Sequence, residues 1–180
     1  MTTISLAPIG VIHTDRLDKA QTPVHTRLNW TEAGEARLEP EFAPALDGLA
    51  EFTHLWLLTW LAGPGQPLGA EVEMTPVPFL LRPTGETKGV LASRSPLRPN
   101  PIGLHLVRVS RVTVTPPVVH FLGVDMVDGT PLLDIKPWVG GFDSPAEPDA
   151  GSGWYERVGF EQNTPAGLAD QSSETGGTAT

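Results

Sequence analysis

Apolar residues along this chain come in short runs that alternate with polar ones, and the runs are cut by Gly, Pro, Asn and Asp rather than spaced every three or four residues. ISLAPIGVIH, THLWLLTWL, KGVLAS, LHLVRVSRVTV, PVVHFLGVDMV and PLLDIKPWV are each too short for a helix of ordinary length and rich in β-branched or aromatic residues, which predicts strands. In LHLVRVSRV, Leu104, Leu106, Val107 and Val109 mix with His105, Arg108 and Ser110 in the pattern of a half-buried strand. TVTPPVVHF predicts a tight connection, because consecutive prolines cannot continue a ladder. Only LEPEFAPALDGLAEF suggests a helix, kept short by Pro44. The expected fold is therefore mainly β: a single-sheeted antiparallel β-barrel with one short helix, curled to hide its edges.

Composition narrows the function. The 180 residues suit one domain with a proper core, and the absence of cysteine excludes disulfides, thiolate zinc sites and a thiol nucleophile. No apolar run reaches the roughly 20 residues that cross a bilayer and no signal segment is visible, so a cytoplasmic location without membrane contact is expected. The net charge of −9 opposes nucleic acid at first sight. However, the acids gather towards the end, whereas Arg82, Lys88, Arg94, Arg98, Arg108 and Arg111 face only Glu86 in the middle of the chain. EQNTPAGLADQSSETGGTAT is polar and aperiodic, which predicts a barrel domain over 1–160 and a disordered tail over 161–180. SPAEPDAGSG reads as a linker, and WYERVGF as a segment that docks back because two adjacent aromatics are costly to leave in water.

Three segments carry candidate chemistry. In RSPLRPNPIG, Pro96, Pro99 and Pro101 fix their own φ angles and push Ser95, Arg98 and Asn100 towards extended geometry, so the polar groups are set before a ligand arrives. Arg94 and Arg98 each offer a planar fork to a carboxylate or phosphate. The alternative is a stiff inter-strand loop with solvated arginines. In VDMVDGTPLLDIKPW, Asp134 and Lys136 share one face of a regular strand, either as a reactive pair or as a surface ion pair; Asp128-Gly129 is a turn. His54, ahead of Trp56 and Trp60, is either a residue at the edge of the core hydrogen-bonded to backbone or a general base. The five histidines have no metal-ligand spacing, so no metal is expected. GPGQPLG misses the dinucleotide fingerprint by one position and precedes no helix.

Taken together, GVLASRSPLRPNPIGLHLVRV and GVDMVDGTPLLDIKPWVGGFD resemble the TrmO family, also called YaeB or TsaA-like, whose members carry G-V-[FL]-A-[ST]-R-[SA]-P-x-R-P-N-P-I-G-L-S and V-D-[ML]-x-D-G-T-P-[VL]-L-D-I-K-P-[YW] segments. IGVIHTD, TPVHTRLN and LAEFTHLWLL extend the similarity over roughly Ile9 to Asp143. The resemblance implies a β-barrel methyltransferase that takes S-adenosylmethionine (SAM) without a Rossmann fold, works as a homodimer, and methylates the exocyclic amine of threonylcarbamoyl-adenosine beside the tRNA anticodon. It implies cofactor contacts from Pro23, Val24, His25, Arg94, Leu104, Leu122, Gly123, Val124 and Asp125. It places Asp134 and Lys136 at the reaction centre, Asp134 as the candidate proton acceptor. Arg98, Asn100 and His54 are the candidate substrate contacts. Departures fall near the implied pocket: His25 for a usual Gln, Leu91 for Phe, His105 for Ser, and Ala62-Gly63 for a His-containing pair. These keep open a small-metabolite acceptor, or a SAM-binding protein without turnover.

Overall fold

A computed structural model describes residues 4–62, 72–145 and 151–158; the glycine-rich stretch 63–69 and the tail 161–180 lie outside the described residues. Six strands close into one antiparallel barrel: β1 (Gly10–His13), β2 (Ala33–Leu38), β3 (His54–Trp60), β4 (Ile102–Val114), β5 (Pro117–Leu122) and β6 (Pro131–Pro137). Their order round the barrel is β1-β2-β5-β4-β3-β6, with β1 meeting β6 through Gly10 opposite Leu132 to complete the closure. The expected barrel is thus present. No helix among the described residues is long and apolar enough to cross a membrane.

Alternation explains how the barrel fills. On β3, Leu55, Leu57 and Thr59 point inward and are fully buried, while His54, Trp56, Leu58 and Trp60 lie half-buried on the outer wall. Ile12, Ala36, Val107, Val119, Phe121 and Leu132 join them from the other strands. Val124 and Met126, past the end of β5, fold over as a stopper of the same core. Each large member of this set contributes about 1.5–3 kcal/mol by leaving water.

Four elements differ from expectation. KGVLAS forms a 3-10 turn, Val90–Ala92, closed by Ser93 Oγ donating to the Val90 carbonyl (2.9 Å); only Val90 of its apolar residues is buried, so there is no face for a strand to bury. LEPEFAPALDGLAEF makes two 3-10 turns, Pro40–Leu46 and Leu49–Glu51, broken at Gly48, whose φ of 79° no helix accepts. Pro44 lacks the N–H that an α-helical ladder needs. The one α-helix among the described residues is the single turn α1 (Gly140–Asp143). Strand β2, AGEARL, carried no clear apolar alternation because two of its inward residues, Gly34 and Ala36, are small. A side chain at Gly34 would start 2.6 Å from the Phe121 ring.

Strand β4 holds the fourth difference. The register puts Leu104 opposite Leu58 and His105 opposite Leu57, so the leucine faces outward at 46% exposure and the histidine faces the interior at 6%. The polar residue is inside and the apolar one outside. Farther along, a bulge between Val109 and Arg111 shifts the strand by one residue and brings Arg111 opposite His120 on β5.

Candidate functional site

Three connections open at one mouth of the barrel: β1 to β2, β3 to β4, and β5 to β6. Pro23, Val24 and His25 lie on the first, Arg94, Arg98 and Asn100 on the second, and Gly123, Val124 and Asp125 on the third. Leu122 ends β5 and Leu104 is the third residue of β4 at the same mouth, so antiparallel topology alone gathers most of the expected residues.

The first connection is held by ionic and polar contacts that sequence reading did not single out. Arg16 Nε donates to both oxygens of Glu32, at 2.8 and 3.0 Å. Asn29 Nδ2 donates to Glu32 Oε2 (2.7 Å) and to the Val124 carbonyl (2.9 Å), tying this connection to the third. The Arg16 hydrogen bonds hold the Glu32 carboxyl below its ordinary range, against the effect of its partial burial. Within the connection, His25 caps the 3-10 turn Thr26–Leu28: its Nδ1 accepts from the Arg27 N–H at 3.1 Å. Nε2 then carries the hydrogen. Burial pushes the His25 pKa down, with Asp125 pulling the other way and Arg94, His105 and Arg27 adding to the lowering, so the ring is neutral at pH 7.

The third connection leaves β5 at Gly123, whose φ of 98° suits glycine and turns the chain across the barrel mouth. Asp125 thereby lands between two other segments. Its Oδ1 lies 2.7 Å from His105 Nδ1 and its Oδ2 accepts from the Thr26 N–H at 3.0 Å. His105 Nε2 in turn lies 2.8 Å from Thr59 Oγ1. Thr26 is fully buried, and its hydroxyl has no hydrogen-bond partner among the described residues.

The second connection is pinned to itself and to the chain's later part. Arg98 Nη1 donates to the Ser93 carbonyl (3.1 Å) and Leu61 N–H to the Pro101 carbonyl (2.7 Å). Arg94 reaches the Leu104 carbonyl through Nη2 at 3.3 Å, and its backbone N–H donates to Tyr155 Oη at 3.0 Å. Trp154, stacked on Tyr155, donates Nε1–H to the Ala92 carbonyl at 2.7 Å. The docking expected of WYERVGF is therefore seen over Gly153–Arg157. Arg94, His25, Asp125 and Leu104 surround one mouth.

Asp134, Lys136 and His54 sit elsewhere, on the outer wall. Leu58 of β3 pairs with Leu104 on one side and Asp134 on the other, so within one chain Asp134 is two strand spacings, about 10 Å, from Leu104. Its Oδ2 lies 2.9 Å from Lys136 Nζ, and its Oδ1 accepts from the Ile135 N–H at 2.9 Å. His54 stands four residues farther along β3, edge-on between Trp30 and Trp138 with ring centroids 6.0 and 5.9 Å away. Asn100 adds only its carbonyl, which accepts from Ile102 N–H at 2.7 Å. Among the described residues no cluster of His, Cys, Asp and Glu could hold a metal ion.

A closed antiparallel barrel whose connections gather apolar, cationic and carboxylate groups at one mouth defines a small-barrel protein outside the Rossmann class. Its residues 11–144 match the tRNA-methyltransferase O N-terminal domain, and the chain belongs to that family. A probable S-adenosyl-L-methionine-binding protein of Methanothermobacter thermautotrophicus is 33% identical over 141 residues, 78% of this chain and 94% of that protein. The mouse tRNA (adenine(37)-N6)-methyltransferase is 43% identical over 101 residues, 56% of this chain but 22% of the mouse enzyme. The crystal structure of TrmO from Pseudomonas aeruginosa superposes with a TM-score of 0.65 at 32% identity, covering 84% of this chain and 62% of that one. The chain thus spans under two thirds of the Pseudomonas protein.

Proposed function

We propose that the chain is a SAM-dependent methyltransferase that modifies an adenosine of tRNA, at the exocyclic amine of threonylcarbamoyl-adenosine beside the anticodon. The observation that carries this reading is the convergence of Pro23 to His25, Arg94, Leu104 and Leu122 to Asp125 on one barrel mouth, in a chain whose family is named for tRNA methylation. The residues fit the cofactor. Arg94 keeps guanidinium N–H groups for a carboxylate, the exposed Leu104 offers an apolar face to adenine, and Asp125 retains lone pairs for a ribose hydroxyl. The buried Thr26 hydroxyl is a further unused polar group beside them.

SAM supplies an electrophilic methyl group: a nitrogen–carbon bond forms as the carbon–sulfur bond breaks, and the amine gives up a proton. The chain's own task is to align and to accept that proton. Asp134 is the proposed acceptor, its Oδ2 2.9 Å from Lys136 Nζ on the outer wall. A homodimer suits that placement. Ile102, 42% exposed on the outer face of β4 beyond Leu104, leaves an apolar surface that a second copy would cover.

The test supplies purified chain with tRNA and methyl-labelled SAM and analyses tRNA nucleosides by mass spectrometry. Methylated threonylcarbamoyl-adenosine supports the reading, and its absence from tRNA with unchanged SAM binding removes the tRNA acceptor. The net charge of −9 favours a second reading, a small-metabolite acceptor. A salt titration separates the two, since phosphate contacts through Arg98, Arg108 or Arg111 make affinity fall steeply with salt.

A further inference from the structure

The interior of a barrel this size is normally apolar, yet Thr59, His105 and Asp125 form a continuous hydrogen-bonded line from the barrel interior to its mouth. The line has the order of a hydroxyl, an imidazole and a carboxylate, as in nucleophilic hydrolases. Thr59, however, is fully buried, with Gly103 of the neighbouring strand and the Leu61 side chain close by, so no substrate reaches its oxygen. The arrangement serves geometry instead. A carboxylate only accepts, so Nδ1 of His105 carries the hydrogen towards Asp125, and in the neutral ring Nε2 is left to accept from the Thr59 hydroxyl. Asp125 thereby sets the tautomer, and the Thr59 hydroxyl, able to donate or accept, complies with it.

The consequence passes through Asp125 to the first connection. With Oδ1 fixed by His105, Oδ2 is aimed at the Thr26 N–H, which directly follows His25. Each carboxylate oxygen already accepts one hydrogen bond at 8% side-chain exposure, so losing His105 would leave Oδ1 buried with no donor among the described residues. Gly103 completes the fit, because a Cβ there would stand 2.4 Å from both His105 Nε2 and Thr59 Oγ1.

We infer that His105 is a positioning residue for the cofactor site: through Asp125 it sets the backbone of Thr26 and with it the Pro23–His25 wall, while touching no ligand itself. This rests on the SAM reading above. The role belongs to this chain's own residues: Asp125, with His105, Thr59 and Thr26 as its partners and His25 and Arg94 as the other charged or titratable groups at the mouth.

Calorimetric titration of the full chain with SAM tests it. His105→Leu should weaken SAM binding about tenfold, the worth of one hydrogen bond to a charged group. His105→Asn, which keeps an N–H where Nδ1 was, should bind within about threefold of the native chain. In an Asp125→Asn background, His105→Leu should cost little more, since the two residues act as one unit. Equal losses for the Leu and Asn variants, or fully additive losses, would overturn the inference. If His105→Leu fails to fold, nitrogen-15 spectra of the native imidazole decide: the Nδ1-protonated tautomer is required, and the Nε2-protonated one rules the relay out. Failure of the native chain to bind SAM would instead remove the methyltransferase reading, which the imidazole spectra do not touch.

Discussion

Arg16 and Glu32 meet sixteen residues apart in sequence, with Nε bonded to both carboxylate oxygens and Nη2 a further 2.5 Å from one of them. This grip gathers a connection that has only short 3-10 turns of its own, and Asn29 passes the constraint on to Val124. The Pro23–His25 wall is therefore shaped by an ion pair at its base, before any ligand contributes.

Replacing Glu32 by Gln should cost about 1–3 kcal/mol, because Arg16 and Asn29 then share a weaker acceptor in a partly buried setting. Urea midpoints of the native chain, Glu32→Gln, Arg16→Met and the double variant measure it, and a coupling under about 0.5 kcal/mol would show the grip to be incidental.

Acid should unfold the protein in two stages of one sign. Burial lowers the His25 pKa in the folded state, so below roughly pH 6.5 the unfolded chain binds a proton that the native chain refuses. Stability is full above that value and declines as pH falls towards the native pKa. Glu32, also lowered, adds a further loss below the ordinary carboxylate range. Calorimetric melting between pH 8 and pH 3 should show the upper decline flattened in His25→Gln and the lower one retained.

Gly103→Ala should destabilise by about 1–3 kcal/mol through overpacking against His105 and Thr59. Its SAM affinity should fall as well, since the displaced ring is the one that holds Asp125. A variant as stable as the native chain would show that the interior yields more than its contacts imply.

Leu104→Glu offers the opposite contrast. At 46% exposure the side chain adds little to the core, so melting should shift by no more than a degree or two. SAM binding should weaken at least tenfold, because an anion then lines the place proposed for adenine and competes for Arg94. Unchanged affinity would move the adenine site away from the start of β4.

Much of the barrel was legible in the chain because β3 and the first half of β4 alternate, and β5 and β6 are short apolar runs bounded by Pro or Gly. Strand β2 was not, since an inward Gly34 and Ala36 fit beneath Phe121 by being small, which erases the usual signal. The inward turn of His105 was equally hidden: periodicity reports that neighbours face opposite ways, but not which face is core when a polar group is buried. The long motifs located the connections that form the mouth. The clamp of Arg16, Asn29 and Glu32 left no trace in any motif, for its partners meet only once the connection has folded. A charged pair flanking PVHTRLN was the one available hint.

The gathering of three connections at one end, above strands that close on themselves, separates the proposed site from the parts that endure. Residues such as His25, Leu91 and Arg94 can be exchanged by drift or design while Leu55, Leu57, Val107 and Phe121 go on holding the cylinder shut. A chain built in this way is free to change its chemical clientele without learning to fold again.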